Sequence, residues 1–282
     1  MASCIGAARC GDLTLLRDLH EDGATWDSRT CRSAADGGHL DCLAYAHAHG
    51  CAWDSWTCAY AAHGGHLDCL AYAHENGCPW DEYTCANAAL EGHLDCLKYS
   101  RDRGCTWDAL TCAYATTQKS PDCLKYAREN GCPWDELTCS RAALYGQLDH
   151  LKYARENGCH WDSCTCEYAA ALGRLDCLKY AHEHGCPWDS RTCGVAAESG
   201  HLECLAYAHE RGCVYQTEYS SSHAVARDHL ALRRASASKV SRAIRTWSAK
   251  RRADVALVGA CRPQTPCLPG RGPVGGLARD GI

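Results

Sequence analysis

The sequence predicts an all-α solenoid of about eight stacked helix–turn–helix repeats, and three observations support this fold class. The same residue types recur every 27 positions, without insertion or deletion, from about Ser3 to about Glu218. Each unit contains two short apolar runs with helical spacing, and no unit shows the alternation typical of a strand. A fixed period of about 20 to 50 residues is typical of solenoids, in which each unit buries its apolar face against its neighbours.

The first helix of each unit is well illustrated by the segment that begins at Asp81. Aspartate is a favoured N-cap residue, and Cys85, Ala88 and Ala89 follow with the i, i+3, i+4 spacing of one helical face. Gly92 then stands where the glycine at a helix C-terminus is expected. We therefore predict a short helix between Asp81 and Gly92, and an equivalent helix in every other unit.

The second helix of each unit follows this glycine and ends near the next one. In the same unit its apolar run consists of Leu94, Cys96, Leu97 and Tyr99. The fifth unit has Ser120 and Pro121 just before this run, and Ser followed by Pro is typical of an N-cap and the first helical position. We predict that the second helix of the fifth unit starts there.

The chain has 25 cysteines, and most of them fall into three columns of the repeat. Column neighbours lie one repeat apart, and packed helices are about 8 to 10 Å from each other, whereas a disulfide needs Cα atoms within about 7 Å. Zinc modules use close pairs of cysteines, and only Cys164 and Cys166 come near that spacing. We interpret the cysteines as small buried apolar residues. The closest thiol contact is expected between the end of one unit and the next first helix, for example Cys51 with Cys58.

The sequence contains no N-terminal apolar segment typical of a secretion signal and no run of 18 apolar residues. We therefore expect no membrane span. A chain this rich in free cysteine fits a reducing compartment, and we expect a cytoplasmic protein.

The repeated motif resembles the ankyrin repeat. One unit combines Thr84, the pair Ala88 and Ala89, the turn and helix of residues 92–99, and the closing Gly104. Ankyrin repeats share this order of Thr, paired Ala, a Gly-His-Leu turn with an acid, and an apolar helix that ends in Gly. The resemblance covers about residues 3–218 and implies a protein-binding scaffold without catalytic activity.

The units differ from ankyrin repeats in length, because an ankyrin unit has 33 residues. The β-hairpin finger between units is shortened here to the loop 78–81, and Cys stands where ankyrin repeats have Pro after the Thr. The resemblance therefore implies ankyrin-like helix pairs that lack long β-hairpin fingers. This short form, rich in Cys and Trp, is similar to ankyrin-type arrays of giant DNA viruses and protists.

A variable face of the first helix is the predicted partner-binding surface. Trp56, Tyr60 and His63 follow at i, i+4, i+7 on the side opposite Cys58 and its two alanines. Aromatic residues and Arg are common at interface hot spots, and they recur at these positions in units three to seven. The alternative, an outward face without function, stays open. The predicted binding residues, called the stripe below, are Trp56, Tyr60, Tyr83, Asn87, Tyr114, Arg141 and Tyr168.

Two other columns are interpreted as structural. The loop tryptophans stand beside Asp in unit after unit, at Trp26, Trp53, Trp80, Trp107, Trp134, Trp161 and Trp188. They correspond to a packed apolar position of the ankyrin repeat. The histidines of the Gly-His pairs give way to Gln147 and Arg174 in two units, so we interpret them as turn residues and not as metal ligands.

The chain is divided in charge at the end of the repeats. Residues up to Gln216 carry 17 Lys and Arg against 30 Asp and Glu, whereas residues 217–282 carry 12 against 4. We predict a degenerate cap and a basic amphipathic helix at 219–258, followed by a disordered Pro- and Gly-rich tail at 259–282. Nucleic-acid binding is expected, if at all, only through this basic segment.

No motif for catalysis is present, and we expect no enzyme activity, cofactor, catalytic residue or metal ligand. The sequence predicts a monomeric scaffold or adaptor that binds a protein partner, whose identity it does not give. The alternative is a thiol-rich metal-binding or redox protein. These two classes are distinguished by whether the sulfur atoms gather around ions or fill the core.

Overall fold

The computed structural model describes residues 3–213, and within this range the fold is an all-α repeat solenoid of eight helix pairs without a strand. The predictions for 219–258 and 259–282, and the end of the predicted array at 218, lie outside the described residues. In chain order the pairs are α1 (Cys4–Cys10) and α2 (Leu13–Glu21), α3 (Ser28–Asp36) and α4 (Leu40–Ala48), α5 (Ser55–Gly64) and α6 (Leu67–Glu75), α7 (Glu82–Glu91) and α8 (Leu94–Asp102), α9 (Ala109–Ala115) and α10 (Asp122–Glu129), α11 (Glu136–Tyr145) and α12 (Leu148–Glu156), α13 (Ser163–Ala171) and α14 (Leu175–Glu183), and α15 (Ser190–Ser199) and α16 (Leu202–Glu210).

The ends of α7 follow the predicted capping residues. The Asp81 carboxylate accepts a hydrogen bond from the Tyr83 backbone N–H at 3.1 Å, which satisfies one of the free donors at the start of α7. Gly92 ends the same helix with φ 81°, a left-handed conformation that glycine adopts without strain. Both predicted ends of this helix are therefore confirmed.

The second helix of the fifth pair starts later than predicted. Pro121 is the N-cap of α10, so that the helix begins at Asp122 and not at the proline. The first bond of the helix runs from the Lys125 N–H to the Pro121 carbonyl at 2.9 Å. The Ser120 carbonyl instead lies 3.2 Å from Nε2 of His150, in the following pair. The Ser120 hydroxyl accepts from the Asp122 backbone N–H at 3.4 Å, so Ser120 contacts the start of α10 but lies outside its helical ladder.

Small residues set the spacing of the first helices. Their inner face consists of Cys and paired Ala, as in Cys58, Ala61 and Ala62, which are fully buried. The first helices of neighbouring pairs pack closely, whereas the second helices touch one another lightly. Each second helix from α2 to α14 adds one fully buried leucine to the core, such as Leu70 or Leu97. The stripe lies on the first helices, and their close spacing places stripe residues of neighbouring units side by side.

All 23 cysteines of residues 3–213 are free thiols, and all except Cys10 and Cys164 are buried. The expected contact of Cys51 with Cys58 is wrong. Cys51 turns back toward its own helix pair, where its thiol donates to the Asp27 carbonyl at 3.2 Å and forms a hydrogen bond with the thiol of Cys31. The interpretation of the cysteines as buried core residues holds for this part of the chain.

Candidate functional site

The residues of the stripe on α5 and α7 form one aromatic cluster. The rings of Trp56 and Tyr83 stack with centroids 5.6 Å apart and planes 24° from parallel. Tyr60 lies one helical turn from Trp56, with a ring-centroid distance of 6.0 Å. Asn87 donates to the Tyr83 carbonyl at 2.8 Å. The 27-residue register therefore converts two positions of the repeat into a continuous surface across two helices.

This cluster remains accessible although it is packed. Tyr83 is 38% exposed, and Trp56, Tyr60 and Asn87 are half-buried. The core beneath it is complete without these rings, because the opposite side of α5 and α7 is occupied by the fully buried Cys and Ala positions. These rings thus lie outside the buried core, and each keeps part of its surface open to solvent.

An ionic group lies at the carboxyl end of α5, beside the aromatic cluster. The His63 Nδ1 is 3.3 Å from the Asp36 carboxylate, and its Nε2 is 3.7 Å from the Glu91 carboxylate. The hydrogen bond to Asp36 raises the pKa of His63, and burial opposes this only in part. His63 thus connects three successive first helices at one end of the stripe.

The residues of the stripe on α9 and α11 form a second group, which differs from the expected exposed face. The Arg141 guanidinium lies 4.6 Å above the ring of Tyr114 and 5.5 Å from that of Tyr145. Only 9% of Arg141 is exposed, because it is held between these two rings. The expectation that Arg141 projects into solvent is therefore wrong. Tyr168, the next residue in the same column, is half-buried on α13.

Two exposed apolar residues beside this group were missed by the sequence analysis. Tyr145 and Leu172 are 39% and 43% exposed, and they occupy the same repeat position in neighbouring units. Other units have Gly64, Glu91 or Gln118 at this position. The change from polar or small residues to Tyr and Leu was the available signal. The apolar part of the surface therefore continues from Tyr114 to Leu172.

The loop tryptophans pack between units, as predicted. Trp80 stacks on His74 with ring centroids 3.6 Å apart, and its edge faces Tyr99 in the next pair at 6.4 Å. Where the histidine is replaced by arginine, the guanidinium takes its place, as with Arg101 at 4.4 Å from the ring of Trp107. The tryptophans pack against the core and belong to the structure of the array.

The histidines of the Gly-His pairs also connect units. Nε2 of His66 lies 3.1 Å from the Asp36 carbonyl at the end of the preceding first helix. Gln147 and Arg174 make the corresponding contacts, from side-chain nitrogens to the carbonyls of Thr117 and Leu144 at 3.4 Å. Histidine, glutamine and arginine side chains thus all form hydrogen bonds with the free carbonyls at a helix C-terminus. This common role explains why histidine is replaceable there.

The thiol-rich alternative would need several donor side chains close together among residues 3–213. Within residues 3–213, no group of three or more His, Cys, Asp or Glu side chains is placed to hold a metal ion. Burial also raises the pKa of thiols such as Cys69, to about 12, which disfavours the reactive thiolate. In the same range, no helix is long and apolar enough to cross a membrane.

No protein-family model matches the sequence, and no curated protein matches it. Among solved structures, the chain is similar to the crystal structure of the human ASB11 ankyrin repeat domain, with 16% sequence identity and a TM-score of 0.37. The match covers 66% of this chain and 85% of that one. The helices of residues 3–213 themselves, and not this superposition, establish the all-α repeat solenoid, and their recurrence every 27 residues agrees with ankyrin-like repeats.

Proposed function

We propose that the chain is a non-catalytic scaffold that binds a protein partner through the stripe on its first helices. One observation carries the proposal: aromatic side chains of neighbouring first helices lie side by side at the surface, although the core beneath them is complete. Trp56 and Tyr83 stack across two helices, and Tyr145 and Leu172 continue the apolar surface two units further on.

The composition of this surface suits a protein partner. Trp, Tyr and Arg are the residues most often found at interface hot spots. Trp and Tyr bury a large area with only two side-chain torsions, and Arg adds a planar group with several hydrogen-bond donors. Here the rings are already ordered by stacking, so that binding costs less side-chain entropy. A rigid surface of this kind fits an extended segment or a helix that lies across several first helices.

The proposal places the scaffold in the cytoplasm as a monomer. The free thiols of residues 3–213 support a reducing compartment, since paired cysteines would be expected in an oxidising one. A monomer leaves the stripe free for a different protein.

A selection from a displayed library of random peptides tests the proposal. Wild-type protein is compared with the double variant Trp56→Ala, Tyr83→Ala, and with Leu67→Ala as a matched control. Leu67 is exposed to the same extent as Tyr83, at 38%, but lies on a second helix. We expect the selected peptides to lose affinity about tenfold or more for the double variant and to keep it for the control. Peptides that bind both variants equally well would refute the role of the stripe.

A further inference from the structure

Arg141 carries a charge that residues 3–213 do not neutralise. No carboxylate of this range forms an ion pair with it, whereas Arg29, Arg32, Arg103 and Arg191 each have one. Arg141 is also 9% exposed, so that water screens its charge poorly. An arginine this deeply buried is normally paired with an acid or hydrogen-bonded throughout.

The hydrogen bonds of Arg141 are equally incomplete. A guanidinium has five N–H donors. Its Nε–H is buried and has no acceptor among the described residues, and one terminal nitrogen donates to the Tyr145 hydroxyl at 3.4 Å. That distance is longer than the usual range of about 2.7 to 3.2 Å, so this bond is weak. The rings of Tyr114 and Tyr145 attract the cation through their faces but accept no strong hydrogen bond from it.

The position of Arg141 is imposed by the repeat. The same position of the preceding unit is Tyr114, so that its ring lies against the Arg141 guanidinium, 4.6 Å from ring centroid to Cζ. Tyr145 follows four residues later on the same helix and covers it from that side. The side chain is thus held ready before any ligand binds, which lowers the entropy cost of binding.

The group that fits an oriented, unpaired guanidinium is a carboxylate. Arginine and carboxylate form short, paired hydrogen bonds, and these strengthen where water is excluded. Tyr145 contacts Arg141, and Leu172 holds the same repeat position as Tyr145 in the following unit; both are exposed and suit an apolar residue near the acid. A polyanion is disfavoured, because residues 3–213 carry 17 Lys and Arg against 30 Asp and Glu.

We propose that Arg141, Tyr114 and Tyr145 form a recognition pocket for a single Asp or Glu side chain of the protein partner, with an apolar neighbour of that acid packed on Leu172. The inference rests on the proposed function and names the chemistry of the segment that the stripe binds. It predicts a partner segment with one acidic residue in neutral or basic surroundings.

The displayed-library selection also tests this inference, through the sequences of the peptides that it yields. We expect them to share one Asp or Glu followed or preceded by an apolar residue. A double-mutant cycle then combines Arg141→Gln with the peptide in which the acid is replaced by its amide. Each single change is expected to weaken binding about tenfold or more, and the two together no further than one alone.

Variants that keep the fold make the result decisive. Arg141→Lys retains the charge but not the paired geometry and is expected to lose most of the affinity. Leu172→Ala is expected to weaken the binding of peptides that have an apolar residue next to the acid. Leu67→Ala is expected to leave their binding unchanged. Circular dichroism and a thermal melt establish that each variant is folded.

The possible outcomes separate the two proposals. Peptides that depend on Trp56 and Tyr83 but share no acid, or an acid that shows no coupling to Arg141, would overturn the pocket and leave the scaffold standing. Competition by about 100 mM inorganic phosphate as strong as that by a carboxylate peptide would show a general anion site and also overturn it. A selection without any peptide that depends on the stripe would contradict both.

Discussion

At the scale of the residue, the same repeat position carries different chemistry in different units. The column of Arg141 contains Tyr60, Asn87 and Tyr114 in other units, and the column of Tyr145 contains Glu91 and Leu172. The buried positions vary far less, because close packing of the first helices admits only Cys, Ala or a residue of similar size. The residue type thus varies most at the repeat positions that lie on the surface, where a partner protein would make contact.

His150 is an exception within the buried columns and gives a prediction about pH. It occupies the position of a column cysteine, is 1% exposed, and its pKa is lowered by burial, with Asp149 and Lys125 as the nearby charges. In the unfolded chain the imidazole takes up a proton near its ordinary pKa of 6.5, while the folded one resists it. Stability is therefore retained above that pH and is lost as the pH falls below it.

The variant His150→Cys tests this effect, since cysteine does not titrate in that range. Urea midpoints measured at pH 7.5 and pH 5 are expected to differ more for the wild type than for the variant. An equal difference in both proteins would contradict a neutral buried His150.

The thiols give a second prediction at this scale. Cys10 is exposed, whereas Cys58 and Cys69 are fully buried. Alkylation with iodoacetamide, mapped by mass spectrometry of peptides, is expected to modify Cys10 first and the two buried residues only after unfolding. Rapid modification of Cys69 in the native protein would contradict a closed core. The measurement also tests the redox alternative, which needs reactive thiols.

The sequence predicted some features of the site and missed others, and the difference lies in individual side chains. The stripe followed from helical spacing, because period and register fix which positions share a face. The burial of Arg141 and the contact of Cys51 with Cys31 did not follow, since they depend on which way a side chain turns. Tyr145 lies on the last turn of its helix, where exposure depends on the neighbouring unit.

At the scale of the element, each helix is short and depends on its caps. Helices of 7 to 10 residues are too short to be stable alone in water, so the N-cap and the contacts with neighbours decide whether they form. Because such short helices need their caps, the capping residues in the sequence predicted where helices such as α7 begin and end. The start of α10 was misplaced by one residue, because the helical bonds begin at the Pro121 carbonyl.

Two aspartates at the same repeat position are expected to differ in their roles. The Asp81 carboxylate caps α7, whereas that of Asp54 makes no cap bond and pairs with Arg32. Asp81→Ala is expected to cost about 1 kcal/mol of unfolding free energy, with little dependence on salt. The loss from Asp54→Ala is expected to shrink in about 1 M NaCl, because the partly exposed ion pair is screened. Urea unfolding at low and high salt measures both, and equal salt dependence would contradict the assignment.

At the scale of the array, stability comes from contacts between neighbouring units. Within residues 3–213 the buried apolar residues form two clusters, one that ends at Cys132 and one that begins at Cys139, and Trp134 packs against both. The first helix at this boundary, α9, has 7 residues, whereas α7 and α11 have 10. The contact between the fifth and sixth pairs is therefore weaker than the others.

We expect urea to unfold the array in two transitions that reflect these clusters. Tryptophan fluorescence and far-ultraviolet circular dichroism should then give midpoints that do not coincide. Trp134→Ala is expected to separate the transitions further, since that ring contacts both clusters. A single transition seen by both probes, in both proteins, would show that coupling across the fifth pair is as strong as elsewhere.

Site-specific photo-crosslinking tests most directly whether a protein partner lies along the first helices. Benzoylphenylalanine is introduced in place of Tyr83, Leu172 or Leu67, all of which are at least 38% exposed. With a peptide selected on the wild-type protein, we expect crosslinks from positions 83 and 172 and none from position 67. Crosslinking from position 67 alone, or from none of the three, would contradict the account.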